Sequence, residues 1–200
     1  GISHKIVNDL FDGVESDLKF EVNLNTKKSL LIYSYQVAGT VGLMMAKIIK
    51  VKNRQSLRCA IDLGVAMQLT NIARDVVEDK KRNRTYIKNN FNSITETLFL
   101  ADIFYQTSFP AIKNIPIFSR FAILVARRIY KKIGYKILSQ RNLENYNNSG
   151  KIYVSVLGKV VETFLSFFDL IRLFFVKSSE QEKQNEHIML HKEINLDEKI

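Results

Sequence analysis

The chain has 200 residues, a hydrophobic fraction of 46% and a formal net charge of +10. This length and apolar content suffice for one domain with a substantial core and exclude a disordered protein. The single cysteine, Cys59, excludes an internal disulfide. Only two prolines and eight glycines are present, which favours long helices over a turn-rich β architecture.

Apolar residues recur at intervals of three and four along most of the chain, which predicts a succession of helices. The predicted helices are residues 2–18, Lys27–Lys50, Ser56–Asp79, Ile94–Tyr105, Ser119–Leu138 and Tyr153–Val176. Thr26 is the predicted N-cap of the second helix. Small residues around Gly42 in that helix predict close approach of another helix or a ligand. Asn145–Gly150 is a predicted loop, and residues 177–200 are a predicted polar, mobile tail.

Positive charge is concentrated in the second half of the chain. Between Ile103 and Val161 there are ten Lys or Arg residues and one acid, Glu144. Such a surface suits nucleic acid, an anionic membrane or a phosphorylated substrate, or is a plain solvated helix face. No nucleic-acid-binding motif accompanies the charge, so nucleic acid is not an expected partner.

One segment combines acidic and basic side chains in a chemically informative pattern. Asn71, Asp75 and Asp79 recur at intervals of four, so on a helix they form one stripe with steps of about 6 Å along the axis. Their oxygens are of the kind that hard divalent cations prefer, although acids at this spacing also occur on plain solvated faces. The guanidinium groups of Arg74 and Arg84 suit phosphate oxygens. The pattern therefore indicates an enzyme that acts on a diphosphate.

Four longer motifs resemble those of the squalene and phytoene synthase family. The run Tyr33-Ser-Tyr-Gln-Val-Ala-Gly-Thr-Val-Gly-Leu-Met-Met resembles the family signature YCYxVAGTVGLMM, and residues 63–79 are similar to its second aspartate-rich motif. Arg127-Arg-Ile-Tyr-Lys-Lys-Ile-Gly resembles RxLYRxIG, and Lys151-Ile-Tyr-Val-Ser resembles RxYVS. The resemblance runs in unbroken order from about Ile2 to Lys159 and leans toward phytoene synthases.

The resemblance implies an all-α fold, the helical bundle of isoprenoid synthases. It implies a prenyltransferase that joins two prenyl diphosphates head to head, giving phytoene from two geranylgeranyl diphosphates with release of diphosphate in carotenoid biosynthesis. The implied cofactor is Mg²⁺, with Mn²⁺ as a substitute, and NADPH is implied only for a squalene-forming member. The expected location is the cytoplasm, with peripheral association at the inner face of the membrane.

The resemblance also assigns roles to individual residues. The implied magnesium ligands are Asn71, Asp75 and Asp79, the implied catalytic residues are Tyr33 and Arg74, and the implied substrate-binding residues are Gln68, Arg84 and Tyr130. For Tyr33 the alternative is a core tyrosine whose hydroxyl has a hydrogen-bond partner.

One family motif has no counterpart in this chain. Members carry a first DxxxD motif on an earlier helix, whereas Asp9, Asp12 and Asp17 are three and five residues apart. We therefore expect residues 1–176 to be the C-terminal part of a synthase domain that is incomplete at its N-terminus, followed by the tail 177–200. Such a chain alone is expected to bind a metal–diphosphate weakly and to be inactive.

Three alternatives stay open on the sequence. One is a squalene-forming synthase of the same family. Another is a non-catalytic relative, such as the respiratory-complex assembly factors that share the fold, although intact Asn71, Asp75 and Asp79 argue against it. The third is a basic protein that binds an anionic membrane surface or nucleic acid.

Overall fold

The computed structural model describes residues 1–176 and 184–200, and these form a helical bundle with one pair of two-residue strands. The helices are α1 (His4–Ser16), α2 (Lys27–Ser34), α3 (Thr40–Ile48), α4 (Arg54–Lys80), α5 (Phe91–Ser108), α6 (Ile117–Leu138), α7 (Leu143–Asn148), α8 (Val156–Arg172) and α9 (Asn185–Glu193). Two 3-10 turns lie at Phe109–Asn114 and Leu196–Glu198. The predicted all-α class is confirmed, and every predicted helix is present.

Side-chain caps determine where the principal helices begin. The Thr26 hydroxyl accepts a hydrogen bond from the backbone N–H of Ser29 at 3.0 Å, and the Ser29 hydroxyl lies 3.3 Å from the Thr26 N–H. This reciprocal pair satisfies two donors that the first turn leaves free, so the predicted N-cap is confirmed. Asn53, Asn90 and Ser155 cap α4, α5 and α8, each through a side-chain oxygen that accepts a hydrogen bond from a backbone N–H of the first turn.

α2 and α3 form one rod that is interrupted by the π-helical turn Tyr35–Gly39. By length and hydropathy alone, Lys27–Ile48 is the one helix among the described residues that matches a membrane span, and half of it is buried in the bundle. Gly42 lies where this rod meets α4, since a Cβ there would be 2.2 Å from the Ala60 carbonyl oxygen. The predicted close approach is therefore that of another helix.

α4 lies at the centre of the bundle, where it contacts α3, α5 and α6. Its residues Ile61, Val65 and Leu69 are fully buried, as is Phe104 on α5. They belong to the principal core cluster, which also contains Leu31 of α2. Burial of these side chains supplies the main stabilisation of the fold and fixes the direction in which the rest of α4 points.

A parallel pair of short strands connects the segment after α1 with the segment after α4. The strands are β1 (Val22–Asn23) and β2 (Arg84–Thr85), and Val22 is opposite Arg84. The Leu24 N–H donates to the Thr85 carbonyl at 2.9 Å. Strands of two residues are too short to produce an alternating pattern, so the sequence gives no sign of them. The pairing holds Arg84 close to the C-terminal end of α4.

Two segments predicted to be irregular contain helices. Within the predicted loop Asn145–Gly150, residues through Asn148 belong to α7, and Asn142 caps that helix. The predicted mobile tail is wrong over residues 184–200, where α9 and the following turn pack on the bundle, while residues 177–183 lie outside the described residues. Leu190, Ile194 and Leu196 belong to the principal core cluster. Three buried apolar side chains suffice to dock a segment that is polar on average.

Candidate functional site

A groove of about 640 Å³ lies between the α2–α3 rod, α4, α6 and the 3-10 turn Phe109–Asn114. Its lining is mainly apolar, apart from Ser56, Ser108 and Ser119 and a group of larger polar side chains at the end where α4 continues toward Asp75. The polar residues at that end are Gln68 and Asn71 of α4 and Tyr130 of α6. Met45 and Phe118, which also line the groove, are 54% and 96% exposed, so the groove is open to solvent along part of its length.

Asn71 is the last residue of α4 that lines the groove. Its side-chain oxygen is buried and has no hydrogen-bond partner among the described residues. Buried amide oxygens nearly always have a partner, and leaving one without costs about 1–3 kcal/mol. The unpartnered oxygen is therefore available to a ligand or cation that enters the polar end of the groove.

Asp75, one turn further along α4, is neutralised by two cations. Arg74 Nε donates to its Oδ1 at 2.7 Å, and Lys151 Nζ lies 3.5 Å from the same oxygen. Burial opposes ionisation of Asp75, but the hydrogen bonds and charge of Arg74 and the charge of Lys151 outweigh it and lower the pKa of the carboxyl. A metal ion that binds Asp75 must compete with both side chains.

Asp79 is the carboxylate at the end of the row, and it forms no ion pair within the described part of the chain. Burial and then the charge of Asp75 raise its pKa to about 6, against the opposing charges of Arg84 and Arg82. Asp79 and Arg84 line a small separate pocket of about 20 Å³ beyond the groove. Two neighbouring carboxylates repel each other, and a divalent cation bound between them would relieve that repulsion.

Tyr33 lies apart from the groove, in a cluster of polar side chains. Its hydroxyl donates to Asp17 Oδ2 at 2.8 Å, and that of Tyr86 donates to Asp17 Oδ1 at 2.6 Å. The two phenol rings are stacked with centroids 4.7 Å apart. Burial, followed by these neighbours, raises the pKa of Tyr33 well above its usual range. The alternative given above, a core tyrosine with a satisfied hydroxyl, describes this arrangement.

Three residues without a predicted role support the site. Tyr146 of α7 has its hydroxyl 3.0 Å and 2.8 Å from the carbonyl oxygens of Ala73 and Arg74, and so fixes the end of α4. Lys151 reaches Glu78 at 2.9 Å as well as Asp75. Asp17 also belongs to the site, because its carbonyl accepts a hydrogen bond from Arg84 at 2.9 Å. Only Lys151 had a signal in the sequence, the RxYVS-like element.

The row Asn71–Asp75–Asp79 fits a hard divalent cation in part. In the described part of the chain no three His, Cys, Asp or Glu side chains form a group able to hold a metal. The row offers instead one unpartnered amide oxygen, one carboxylate held by cations and one carboxylate without an ion pair. Its donors are of the type that Mg²⁺ prefers, and further oxygens would have to come from a bound diphosphate or water.

Comparisons with known proteins show which sequences and structures this chain is similar to. The family model described as squalene/phytoene synthase matches residues 1–92. The 15-cis-phytoene synthase of Enterobacter agglomerans is 34% identical over 139 residues, covering 59% of this chain and 47% of its own length. The phytoene synthase of Thermus thermophilus is 56% identical over 66 residues, covering 33% of this chain and 22% of its own length.

A solved structure of a dehydrosqualene synthase in complex with ligand superposes with a TM-score of 0.73 at 26% identity, covering 86% of this chain and 66% of that protein. The chain spans about half the length of the curated relatives it matches. The family model, the phytoene synthase sequences and the dehydrosqualene synthase structure all indicate the same family. The chain has the helical fold of isoprenoid synthases, and it belongs to the squalene/phytoene synthase family.

Proposed function

We propose that this chain provides one wall of a prenyltransferase site that joins two prenyl diphosphates head to head to give phytoene. One observation carries the proposal: an apolar groove of about 640 Å³ ends at the unpartnered oxygen of Asn71, where Asp75 and Asp79 continue the same row. A ligand with a long hydrocarbon chain and an anionic head, the latter held through a cation, would match an apolar groove that ends at these polar side chains. The volume lies within the range of pockets that enclose small-molecule ligands.

The apolar walls of α3 and α6 would hold the prenyl chain and exclude water from the reacting carbon. Gln68 and Tyr130 line the polar end, where their side chains can orient the first carbons and the bridging oxygen. Arg74 and Lys151 carry positive charge next to Asp75 and would turn to the phosphate oxygens when the substrate arrives. These two cations would stabilise the negative charge that develops on the leaving diphosphate.

Magnesium is the proposed cofactor, with Asn71, Asp75 and Asp79 as its protein ligands. When bound, Mg²⁺ would neutralise the leaving diphosphate as a Lewis acid. Asp75 must then give up Arg74 and Lys151, and those two cations become available to the diphosphate itself.

The binding half of the proposal is tested with farnesyl thiodiphosphate, a poorly reactive prenyl diphosphate, in the presence of Mg²⁺. We expect Ala126→Phe, which adds a ring inside the groove, to weaken binding by about tenfold or more because it occupies the volume for the hydrocarbon. Ile188→Phe adds the same ring on α9, outside the groove, and should leave binding unchanged. Equal affinity of wild type and Ala126→Phe in calorimetry would exclude the groove as the prenyl site.

The reaction is tested by incubation with Mg²⁺ and either geranylgeranyl or farnesyl diphosphate, with the hydrocarbon identified by mass spectrometry. The chain is assayed alone and together with the part of the Enterobacter agglomerans relative that it does not match. Phytoene from the C20 substrate supports the proposal. A C30 hydrocarbon as sole product would favour the alternative of a squalene-type synthase, which the likeness to dehydrosqualene synthase supports, and NADPH dependence would identify squalene itself. Diphosphate binding without any product in either arm would favour a non-catalytic relative.

A further inference from the structure

α8 is amphipathic, and its orientation is the reverse of that expected for a surface helix. Its side toward α6 is polar, with Glu162, Ser166 and Asp169 all buried. Its side toward solvent is apolar, and Phe164 and Phe168 on it are 64% and 59% exposed. A surface helix of a soluble domain normally buries its apolar stripe and exposes its polar one. The exposed apolar stripe therefore needs a partner.

Ion pairs fix this orientation. Arg128 of α6 donates to Glu162 at 2.9 Å and to Asp169 at 2.8 Å, and the two acidic side chains are only 8% and 10% exposed. At about 100° per residue the exposed apolar side chains span an arc of roughly 140° whose centre lies opposite these acids. The apolar stripe consequently points directly away from the bundle.

The exposed apolar surface continues past the C-terminal end of α8 and onto the start of α6. Phe174 and Phe175 follow the helix with exposed fractions of 75% and 81%. On the neighbouring helix, Phe121 contacts Phe167 with ring centroids 4.5 Å apart, and Phe118 at the start of α6 is 96% exposed. A contiguous patch of this size marks an interaction site, since soluble surfaces rarely carry one.

The charges around the patch indicate what the partner is. The charged residues of α8 are two acids and two cations, and both acids form ion pairs with Arg128. The cations Lys159 and Arg172 are exposed and flank the apolar arc. Apolar residues rich in Phe with Lys and Arg at the edges are typical of helices that lie in the surface of an anionic bilayer.

We propose that the outward face of α8, extended by Phe118, Phe174 and Phe175, docks this protein onto an anionic lipid bilayer. The aromatic rings enter the boundary between headgroups and acyl chains, while Lys159 and Arg172 contact lipid phosphates. Phe118 also lines the groove described above, so docking would bring the groove opening next to the lipid. The inference concerns binding to the membrane and is independent of the proposed reaction.

The chain contains no tryptophan, which allows a direct test with a single introduced fluorophore. In Phe168→Trp, vesicles of phosphatidylglycerol and phosphatidylcholine should shift the emission to shorter wavelength, and lipids brominated on the acyl chain should quench it. The matched control is Phe20→Trp, at a position that is 91% exposed and lies between α1 and β1, neither of which packs on α8. Its emission should stay that of a water-exposed indole.

Cosedimentation with the same vesicles measures the affinity. We expect Phe168→Ser with Phe175→Ser to reduce the partition coefficient by about tenfold or more, whereas Leu18→Ser with Phe20→Ser leaves it unchanged. All four positions are exposed, so both double variants should keep the unfolding temperature of the wild type. Lys159→Gln with Arg172→Gln should weaken binding to anionic vesicles and remove most of its salt dependence.

Three results would overturn the proposal. The first is absence of vesicle binding by the unmodified chain. The second is an equal emission shift at positions 20 and 168, which would mean non-specific adsorption. The third is a concentration-dependent dimer, seen by analytical ultracentrifugation without lipid and abolished by the Phe168 and Phe175 substitutions, which would show that a second copy covers the face.

Discussion

Asn71 holds an oxygen that nothing in the described structure satisfies, at the point where the apolar groove meets the acidic row. Such an atom lowers stability unless function requires it. We expect Asn71→Leu, which has the same number of side-chain heavy atoms, to raise the free energy of unfolding of the metal-free protein by about 1 kcal/mol. The same variant should lose the increase in melting temperature that Mg²⁺ with inorganic diphosphate gives the wild type.

Calorimetric melting with EDTA, and then with Mg²⁺ and diphosphate, checks both halves of this prediction. Asn92→Leu replaces an exposed asparagine on α5 and serves as the control, with little change in either condition. A metal response that survives intact in Asn71→Leu would remove Asn71 from the ligand set.

Asp79 gives the site a pH dependence with a defined sign. Its pKa of about 6 in the folded protein lies above the ordinary value of 3.8, so ionisation is resisted in the folded state. Relative to Asp79→Asn, the wild type should therefore lose stability as pH rises from about 4 to about 6. Because the residue is only half-buried, we expect the variant to be more stable by about 1 kcal/mol at pH 7.

Chemical denaturation in EDTA at pH 4 and at pH 7 measures this difference. The two proteins should differ much less at pH 4, where Asp79 is protonated in the folded wild type and only about half ionised in the unfolded chain. Asp12→Asn on the exposed side of α1 controls for the loss of one negative charge. A gain in Asp79→Asn that is as large at pH 4 as at pH 7 would contradict the electrostatic explanation.

Among the helices, the contact between α6 and α8 combines apolar packing around Leu124 and Leu170 with a set of largely buried ion pairs. Arg128→Met would leave Glu162 and Asp169 buried without their main partner, and breaking such a group costs about 3 kcal/mol. Lys132→Met removes a cation that is 46% exposed and 3.6 Å from Glu162, so it should cost less than about 0.5 kcal/mol. Urea unfolding at pH 7 gives both values, and equal losses would show that Arg128 does not fix α8.

Sequence reasoning succeeded for elements that follow from local pattern. The apolar periodicity correctly predicted the long helices. Thr26 correctly predicted where one of them begins, because capping depends only on the next three residues. It failed where a structure depends on distant contacts. The surroundings of Tyr33 are set by Asp17 and Tyr86, which lie 16 and 53 residues away in the chain. α7 was missed since its Asn-rich composition is typical of loops, although Tyr146 anchors it to α4.

For the whole molecule, the C-terminal segment is part of the core. α9 packs against α2, and the turn after it brings Leu196 into the same cluster as Leu31 and Phe104. His187 reinforces the contact, with Nε2 3.2 Å from Asp62 Oδ2 and 3.1 Å from the Thr107 hydroxyl. This segment completes the core although it is polar on average. Its packing depends on where its few apolar side chains lie rather than on its mean composition.

Leu190 of α9 tests that closure. It is 1% exposed and belongs to the principal core cluster, so Leu190→Ala should lower the free energy of unfolding by about 3 kcal/mol through lost burial and the cavity left behind. Ile188, two residues earlier, is 49% exposed, and Ile188→Ala should cost less than about 0.5 kcal/mol. Urea denaturation followed by circular dichroism compares the two variants. If α9 did not pack on the bundle, both substitutions would leave the unfolding midpoint where it is; a large loss in Leu190→Ala alone requires that the last helix and the central helices unfold as one unit.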